Sequence, residues 1–182
     1  KKQGNLTGTP RKVRDLTADL FNGIQEWNKQ QLLGMEVLSN ISHIKLHNGK
    51  TKDGVETHYP PGLQDLCDKL NGICNSMCGV ASEMEKIQTQ IISLCKLESL
   101  RKVEQKPIFL TWPINSYVDV CSFVSQSYNR EAKLKVIIKE NIAHCTTKEN
   151  LMLYSAMWAH LPYLDEKIDL MMETLLKETG YR

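Results

Sequence analysis

The sequence predicts an all-α fold: an elongated antiparallel helical bundle or coiled coil with three long helices and two short C-terminal helices. Three observations lead to this prediction. Apolar residues recur three and four positions apart along most of the 182 residues, no segment shows the alternating pattern of a strand, and only 10 glycines and 6 prolines interrupt the chain. We expect a basic tail at 1–11 and a single helical-bundle domain at 12–182.

The first predicted helix covers about residues 12–46. The segment before it contains no acidic residue, two glycines and a proline, which is typical of a flexible basic tail. From Val13 onward apolar residues return every three or four positions, although Gly23 and Gly34 weaken the helix. Residues 47–61 are rich in glycine and proline, so we expect a loop there.

The second predicted helix, at about 62–104, carries the most regular pattern in the sequence. Its apolar residues alternate three and four positions apart, as the a and d positions of a coiled coil do. This candidate coiled-coil seam consists of Leu63, Leu66, Leu70, Ile73, Met77, Val80, Met84, Ile87, Ile91 and Leu94. A helix of this length reaches roughly 60 Å at about 1.5 Å per residue, so we expect an elongated molecule.

The third and fourth helices are predicted at about 113–145 and 147–160, and each has an N-terminal signal. Thr111 is a candidate N-cap of the third helix, because its hydroxyl can accept a hydrogen bond from an unpaired amide and proline is tolerated in the first turn. Thr146 and Glu149 form a candidate capping box for the fourth helix.

Two signals predict where the last helices end. Leu161 precedes Pro162 and is therefore disfavoured in helical backbone, which ends the fourth helix. The fifth helix, at about 163–179, is expected to end at Gly180 in a left-handed C-terminal cap.

Charge and hydropathy exclude several classes of protein. The 23 Lys and Arg residues against 21 Asp and Glu leave a net charge of +2, too small to predict direct binding of nucleic acid. No apolar run approaches the ~20 residues that a membrane-spanning helix needs, and the N-terminus has no secretory signal pattern. We therefore expect no membrane partner.

Six cysteines allow two interpretations, a disulfide framework in a secreted helical protein or reduced thiols in an intracellular one. Cys67, Cys74 and Cys95 fall on one flank of the seam, and helix positions seven apart are separated by about 10 Å. That distance exceeds the ~4.4–6.8 Å that a disulfide requires between α-carbons. The spacing favours reduced cysteines, with a secreted cytokine-like ligand as the alternative.

No catalytic, cofactor or metal site is predicted. His43 and His47 have the spacing of a two-histidine metal site but lack the glutamate that a hydrolytic zinc helix carries between them. Cys74 and Cys78 share a helix face, yet no nearby residues complete a ligand set. The sequence also contains no glycine-rich phosphate loop and no nucleophile elbow, so we predict that the protein is not an enzyme.

The N-terminal segment contains a candidate phosphorylation site. Thr9 is followed by Pro10, Arg11 and Lys12, which fits the short pattern that proline-directed, cyclin-dependent kinases recognise. A phosphate there would place a dianion ahead of the first helix, beside basic side chains.

The C-terminal third concentrates aromatic residues around two prolines. This cluster is either a small aromatic core that closes one end of the bundle or a docking surface with aromatic anchors. The candidate partner-binding residues are Trp112, Pro113, Tyr154, Met157, Trp158, His160, Pro162 and Tyr163.

Three segments of this region resemble the cyclin-dependent kinase 2-interacting protein family. They are FLTWP at 109–113, YSAMWAHLPY at 154–163 and LLKETGYR at 175–182, in the order and with the approximate spacing of that family. The resemblance is closest from 109 to 182, and the preceding helices match mainly in their apolar pattern. The cysteine-rich second helix departs from the family.

The resemblance implies a non-enzymatic adaptor, chiefly nuclear, that acts in the cell cycle and cell division. It would bridge cyclin-dependent kinase/cyclin complexes, or an AAA-type ATPase assembly with a small helical partner subunit, to DNA-replication-origin, DNA-damage-checkpoint and ribosome-biogenesis factors. The long seam would close against the other helices or accept a partner helix. The alternatives are the secreted ligand and a purely structural coiled-coil subunit.

Overall fold

The computed structural model describes residues 7–47, 59–100 and 107–181, and these residues form five α-helices. The helices are α1 (Thr9–His47), α2 (Leu63–Leu100), α3 (Ile114–Ile142), α4 (Lys148–His160) and α5 (Glu166–Glu178). The three long helices pack antiparallel and the two short ones follow, which confirms the predicted all-α class. No helix of the described residues is both long and apolar enough to cross a membrane.

The start of α1 differs from the predicted start. The helix begins at Thr9, inside the segment predicted as a tail, because Pro10 fits the first turn, where its missing N–H needs no partner. The predicted end of the second helix at 101–104, residues 1–6 of the tail and most of the predicted loop lie outside the described residues.

Two of the predicted caps are wrong. The Thr111 hydroxyl does not cap α3, because it donates a hydrogen bond to Glu178 instead. The N-cap of α4 is Thr147 rather than Thr146, and its hydroxyl oxygen accepts a hydrogen bond from the backbone N–H of Asn150. α3 begins at Ile114, so Thr111 stands too early to cap it, and α4 begins directly after two adjacent threonines. The position of the first turn decides which residue is the cap.

The predicted C-terminal signals act where the sequence places them. α4 ends at His160, and Leu161 adopts a left-handed conformation with φ of 48°. After α5, Gly180 has φ of 77°. Its N–H donates a hydrogen bond to the carbonyl oxygen of Lys177, and the N–H of Tyr181 donates to the carbonyl oxygen of Leu176. These two bonds form a Schellman motif.

The helices contribute to two compact units. Unit 1 comprises the described residues up to 25, 80–128 and 164 onward, so it contains the first part of α1, the second part of α2, the first part of α3, and α5. Unit 2 comprises the described residues of 26–79 and 129–163, with the complementary parts of the long helices and α4.

The seam of α2 is closed mostly within the chain. Eight of its ten residues are buried, and only Leu66 and Val80 are partly exposed. Burying the apolar face of a helix is the main source of its stability, so this stripe acts chiefly as core. All six cysteines are free thiols.

Candidate partner-binding surface

The segment at 154–163 lies in unit 2, and its tryptophan is a core residue. Trp158 is completely buried, and its indole ring lies so close to Gly34 of α1 that a Cβ atom there would be 2.0 Å from Cζ2. The indole Nε1 donates to the Gln31 carbonyl oxygen at 3.1 Å, and Gln31 Nε2 donates to the Trp158 carbonyl oxygen at 2.6 Å. These reciprocal hydrogen bonds fasten α4 to α1.

A buried ion pair on α3 holds the end of α4. Lys135 Nζ lies 2.9 Å from Glu131 Oε1, and both side chains are fully buried. Nζ also donates to the Trp158 carbonyl oxygen at 2.8 Å, and Glu131 Oε2 accepts a hydrogen bond from the Tyr163 backbone N–H at 3.1 Å. Burial lowers the pKa of Lys135, and the Glu131 carboxylate opposes that shift. The pair therefore fixes the turn that follows α4.

The segment at 109–113 lies in unit 1, where the carboxylate of Glu178 binds it. Glu178 Oε1 accepts hydrogen bonds from the backbone N–H groups of Leu110, Thr111 and Trp112 at 3.0, 2.6 and 2.8 Å. Burial acts to raise the pKa of Glu178, but the hydrogen bonds, led by those from Trp112 and Thr111, together lower it. An ionised Glu178 therefore fastens the segment before α3 to the end of α5.

The predicted partner-binding residues divide between the two units. Trp112 and Pro113 belong to unit 1, and the other six belong to unit 2. Trp112, Tyr154 and Met157 are half-buried, whereas the exposed members are Pro113, His160, Pro162 and Tyr163. Of the two interpretations of the aromatic cluster, the core interpretation describes Trp158, whose side chain offers no surface. A binding role for the exposed members stays a prediction.

A groove between α1 and α4 of unit 2 has a volume of about 410 Å³. Its lining consists of Met35, Leu38, Ser39, Ser42 and Leu46 of α1, and Leu151, Met152, Ser155 and Ala159 of α4. Met35, Leu46 and Met152 are 42%, 46% and 60% exposed, respectively. The buried Ser42 Oγ has no hydrogen-bond partner among the described residues. The groove is thus mainly apolar, with exposed methionines at its edges.

Sequence reasoning missed this groove, although one signal was present. In α4, Met152 and Leu153 stand between Leu151 and Tyr154, so the run of apolar residues is wider than the stripe that one helix buries. Leu151 is buried, whereas Met152 and Leu153 are exposed. An apolar run that exceeds one helical face indicates a second contact surface.

The candidate metal ligands and the cysteines of the described residues lie in groups of fewer than three or are buried. No three or more His, Cys, Asp or Glu side chains among them come together as a metal site. His43 and His47 stack on each other with ring centroids 4.4 Å apart. Burial raises the pKa of Cys74 and of Cys121 to about 12, which keeps these thiols protonated and poorly nucleophilic.

The fold and the groove define the class of this protein: an all-α helical bundle whose candidate site is an exposed apolar groove. No family model matches the sequence. Proteins named cyclin-dependent kinase 2-interacting protein are homologous to it, with 29% identity in Mus musculus, 28% in Bos taurus and 26% in Homo sapiens. Each alignment covers 97% of this chain and 92% of the relative. The predicted resemblance is thereby confirmed.

Proposed function

We propose that this protein is a non-enzymatic adaptor that associates with cyclin-dependent kinase complexes and binds a helical partner segment in the groove between α1 and α4. The observation that carries the proposal is the groove, because it exposes apolar side chains of two helices side by side. The name of the relatives, which states an interaction with cyclin-dependent kinase 2, supports the kinase as partner.

The shape of the groove suits an amphipathic helix. The α1 wall presents residues at 35, 38, 42 and 46, and the α4 wall presents residues at 151, 155 and 159, so both walls follow helical spacing. A partner helix with apolar residues three and four positions apart would fill such a groove. The side chains of Met35 and Met152 are flexible, which lets the walls adapt to the partner.

We further propose that the adaptor bridges a cyclin-dependent kinase/cyclin complex or an AAA-type ATPase assembly to DNA-replication, checkpoint and ribosome-biogenesis factors in the nucleus. The resemblance of the segments at 109–113, 154–163 and 175–182 supports this assignment. In the structure these segments hold helices together. Glu178, in the segment at 175–182, binds the segment at 109–113, and Trp158 attaches the segment at 154–163 to α1. Within each unit, these contacts would keep the helices in place while a partner binds.

The groove is tested by placing a charge in it. Met152→Glu puts a carboxylate on a 60% exposed position of the groove wall, and Leu170→Glu puts the same group on a 64% exposed position of α5 in unit 1. We expect Met152→Glu to weaken binding to an immobilised cyclin-dependent kinase 2/cyclin complex at least tenfold, about 1.4 kcal/mol, because the partner would have to bury an unpaired charge.

The Leu170→Glu variant should bind the complex as the unsubstituted protein does. Circular dichroism of both variants establishes that they remain helical. Equal binding by Met152→Glu and Leu170→Glu would exclude the groove as the kinase site.

The two alternatives have less support. The free thiols of all six cysteines favour the intracellular adaptor over a secreted ligand, and titration of thiols in the denatured protein distinguishes them: six reactive thiols for the former, none for the latter. Closure of the seam within the chain removes most of the apolar surface that a self-associating coiled coil would use. Mass measurements over a range of concentrations test that second alternative.

A further inference from the structure

The outer face of α1 in unit 2 carries two leucines that the core does not use. The buried side of this stretch of the helix is formed by Trp27, Gln31 and Leu38. Leu32 and Leu33 lie outside that side and are 67% and 42% exposed. A second groove, of about 510 Å³ between α1 and α2, adjoins them, because Leu33 also lines it. Adjoining apolar groups of this kind indicate a surface that another molecule covers.

The charges on this face are arranged symmetrically about the two leucines. Lys29 lies three positions before Leu32, and Glu36 lies three positions after Leu33. Residues three and four positions apart share one helix face, so the order along the face is base, two leucines, acid. The Lys29 side chain is 69% exposed and its Nζ lies 3.9 Å from Glu26, a loose contact. Glu36 is exposed and has no ion-pair partner among the described residues.

We propose that this chain forms a homodimer in which the outer faces of two α1 helices pack antiparallel, with a two-fold axis between Leu32 and Leu33. Leu32 of each copy then contacts Leu33 of the other, and Lys29 of each copy pairs with Glu36 of the other. Every contact of such an isologous interface occurs twice, and the assembly closes at two subunits. The surface belongs to α1 and is separate from the seam of α2.

The leucines and the charges have different effects on the dimer. The leucines supply most of the binding free energy, because burial of apolar side chains is favourable whereas exposed ion pairs contribute little. The charges set the orientation. A parallel pair of helices centred on the same leucines would place Lys29 against Lys29 and Glu36 against Glu36, so repulsion disfavours it. The antiparallel pair places each base opposite an acid.

The groove between α1 and α2 extends the apolar contact. Its apolar lining consists of Leu33, Val37, Leu66 and Ile73, and Leu32 of the second copy reaches it at Leu33. The groove between α1 and α4 is lined by other residues of α1, so the dimer presents two copies of that groove. The dimer thus goes beyond the proposed adaptor role of a single chain and does not depend on it.

Sedimentation equilibrium of the full chain measures the dimer. Between about 1 and 500 μM the unsubstituted protein should change from monomer to dimer, as expected for a small interface. Leu32→Glu should raise the dissociation constant at least about tenfold, because the dimer would have to bury two unpaired carboxylates. Met152→Glu puts the same group on a 60% exposed position of the other groove and should dimerise normally. Circular dichroism establishes that both variants remain helical.

Charge reversal tests the antiparallel pairing. Glu36→Lys should weaken the dimer about tenfold, because it replaces two attractive pairs with two repulsive ones. The double variant Lys29→Glu/Glu36→Lys reverses both members of each pair and should return the dissociation constant to within about threefold of the original value.

Three results would overturn the proposal: a monomer at every concentration, a dimer that Leu32→Glu leaves unchanged, or a double variant as weak as Glu36→Lys. Met152→Glu is expected to affect kinase binding alone, so a failure of the groove between α1 and α4 is distinguishable from a failure of the dimer.

Discussion

The contact between Gly34 and Trp158 leads to a quantitative prediction about the core of unit 2. A methyl group at position 34 would lie 2.0 Å from Trp158 Cζ2 and 2.6 Å from Cε2, whereas ordinary contact begins at 3.4 Å. The ring of Gly34→Ala would therefore have to move by about 1.4 Å, the difference between 3.4 and 2.0 Å. Trp158 is completely buried, so this movement strains its neighbours.

The energetic cost follows from three effects. Overpacking of a core costs about 1–3 kcal/mol. Displacing the ring also weakens the 3.1 Å hydrogen bond from Nε1 to the Gln31 carbonyl oxygen, which costs about 1 kcal/mol. Alanine is the better helix former by about 1 kcal/mol, which offsets the lost bond. We expect Gly34→Ala to destabilise the protein by about 1–3 kcal/mol.

A matched substitution isolates the steric effect. Gly72 also lies inside a helix of unit 2, and a Cβ atom there has nothing within 4 Å. Gly72→Ala should therefore stabilise the protein by up to about 1 kcal/mol. Urea denaturation followed by circular dichroism measures both variants, and the cost of Gly34→Ala should shrink in a Trp158→Leu background. The steric reasoning fails if Gly34→Ala is as stable as Gly72→Ala.

Two further predictions concern the buried charged side chains. Glu178→Gln should lower stability by about 1.5–3 kcal/mol at pH 7, because Glu178 loses charge-assisted hydrogen bonds. Folding lowers the pKa of Glu178 from 4.5, so the ionised carboxylate stabilises the folded state. The difference in stability between the unsubstituted protein and Glu178→Gln should therefore be complete above about pH 4.5 and disappear as the pH falls through the folded pKa. A stability difference that does not change with pH would contradict this prediction. Lys135→Met should lower the free energy of unfolding, measured by urea denaturation, by about 3–5 kcal/mol, because it leaves the Glu131 carboxylate buried without its partner. The double variant that also carries Glu131→Leu should recover stability, and a double variant as unstable as Lys135→Met would refute the pairing.

Local sequence patterns predicted much of the fold. The spacing of Leu70, Met77 and Met84 predicted which face of the second helix is buried, and all three are fully covered. Gly180 marked the end of the last helix because a left-handed cap depends on one residue and its immediate neighbours. Such signals repeat within a turn or a heptad, so they can be interpreted without knowledge of the other helices.

The aromatic cluster shows what local sequence patterns do not predict. The sequence allowed Trp158 to be either core or anchor, and the choice depends on Gly34 and Gln31, which belong to another helix. Thr111 is predicted to cap the third helix, but its hydroxyl donates a hydrogen bond to the carboxylate of Glu178. These contacting residues lie far away in the sequence, at distances that no local pattern sets.

The sequence by itself therefore determined the helical class, the order of the helices and the apolar stripe of α2, because helical periodicity places apolar residues on one face whatever that face contacts. Only the tertiary structure decided which apolar residues remain uncovered. Met35 and Met152 are as apolar as the core methionines Met77 and Met84, but they line an open groove. Burial is a property of two surfaces that meet, and periodicity describes only one of them.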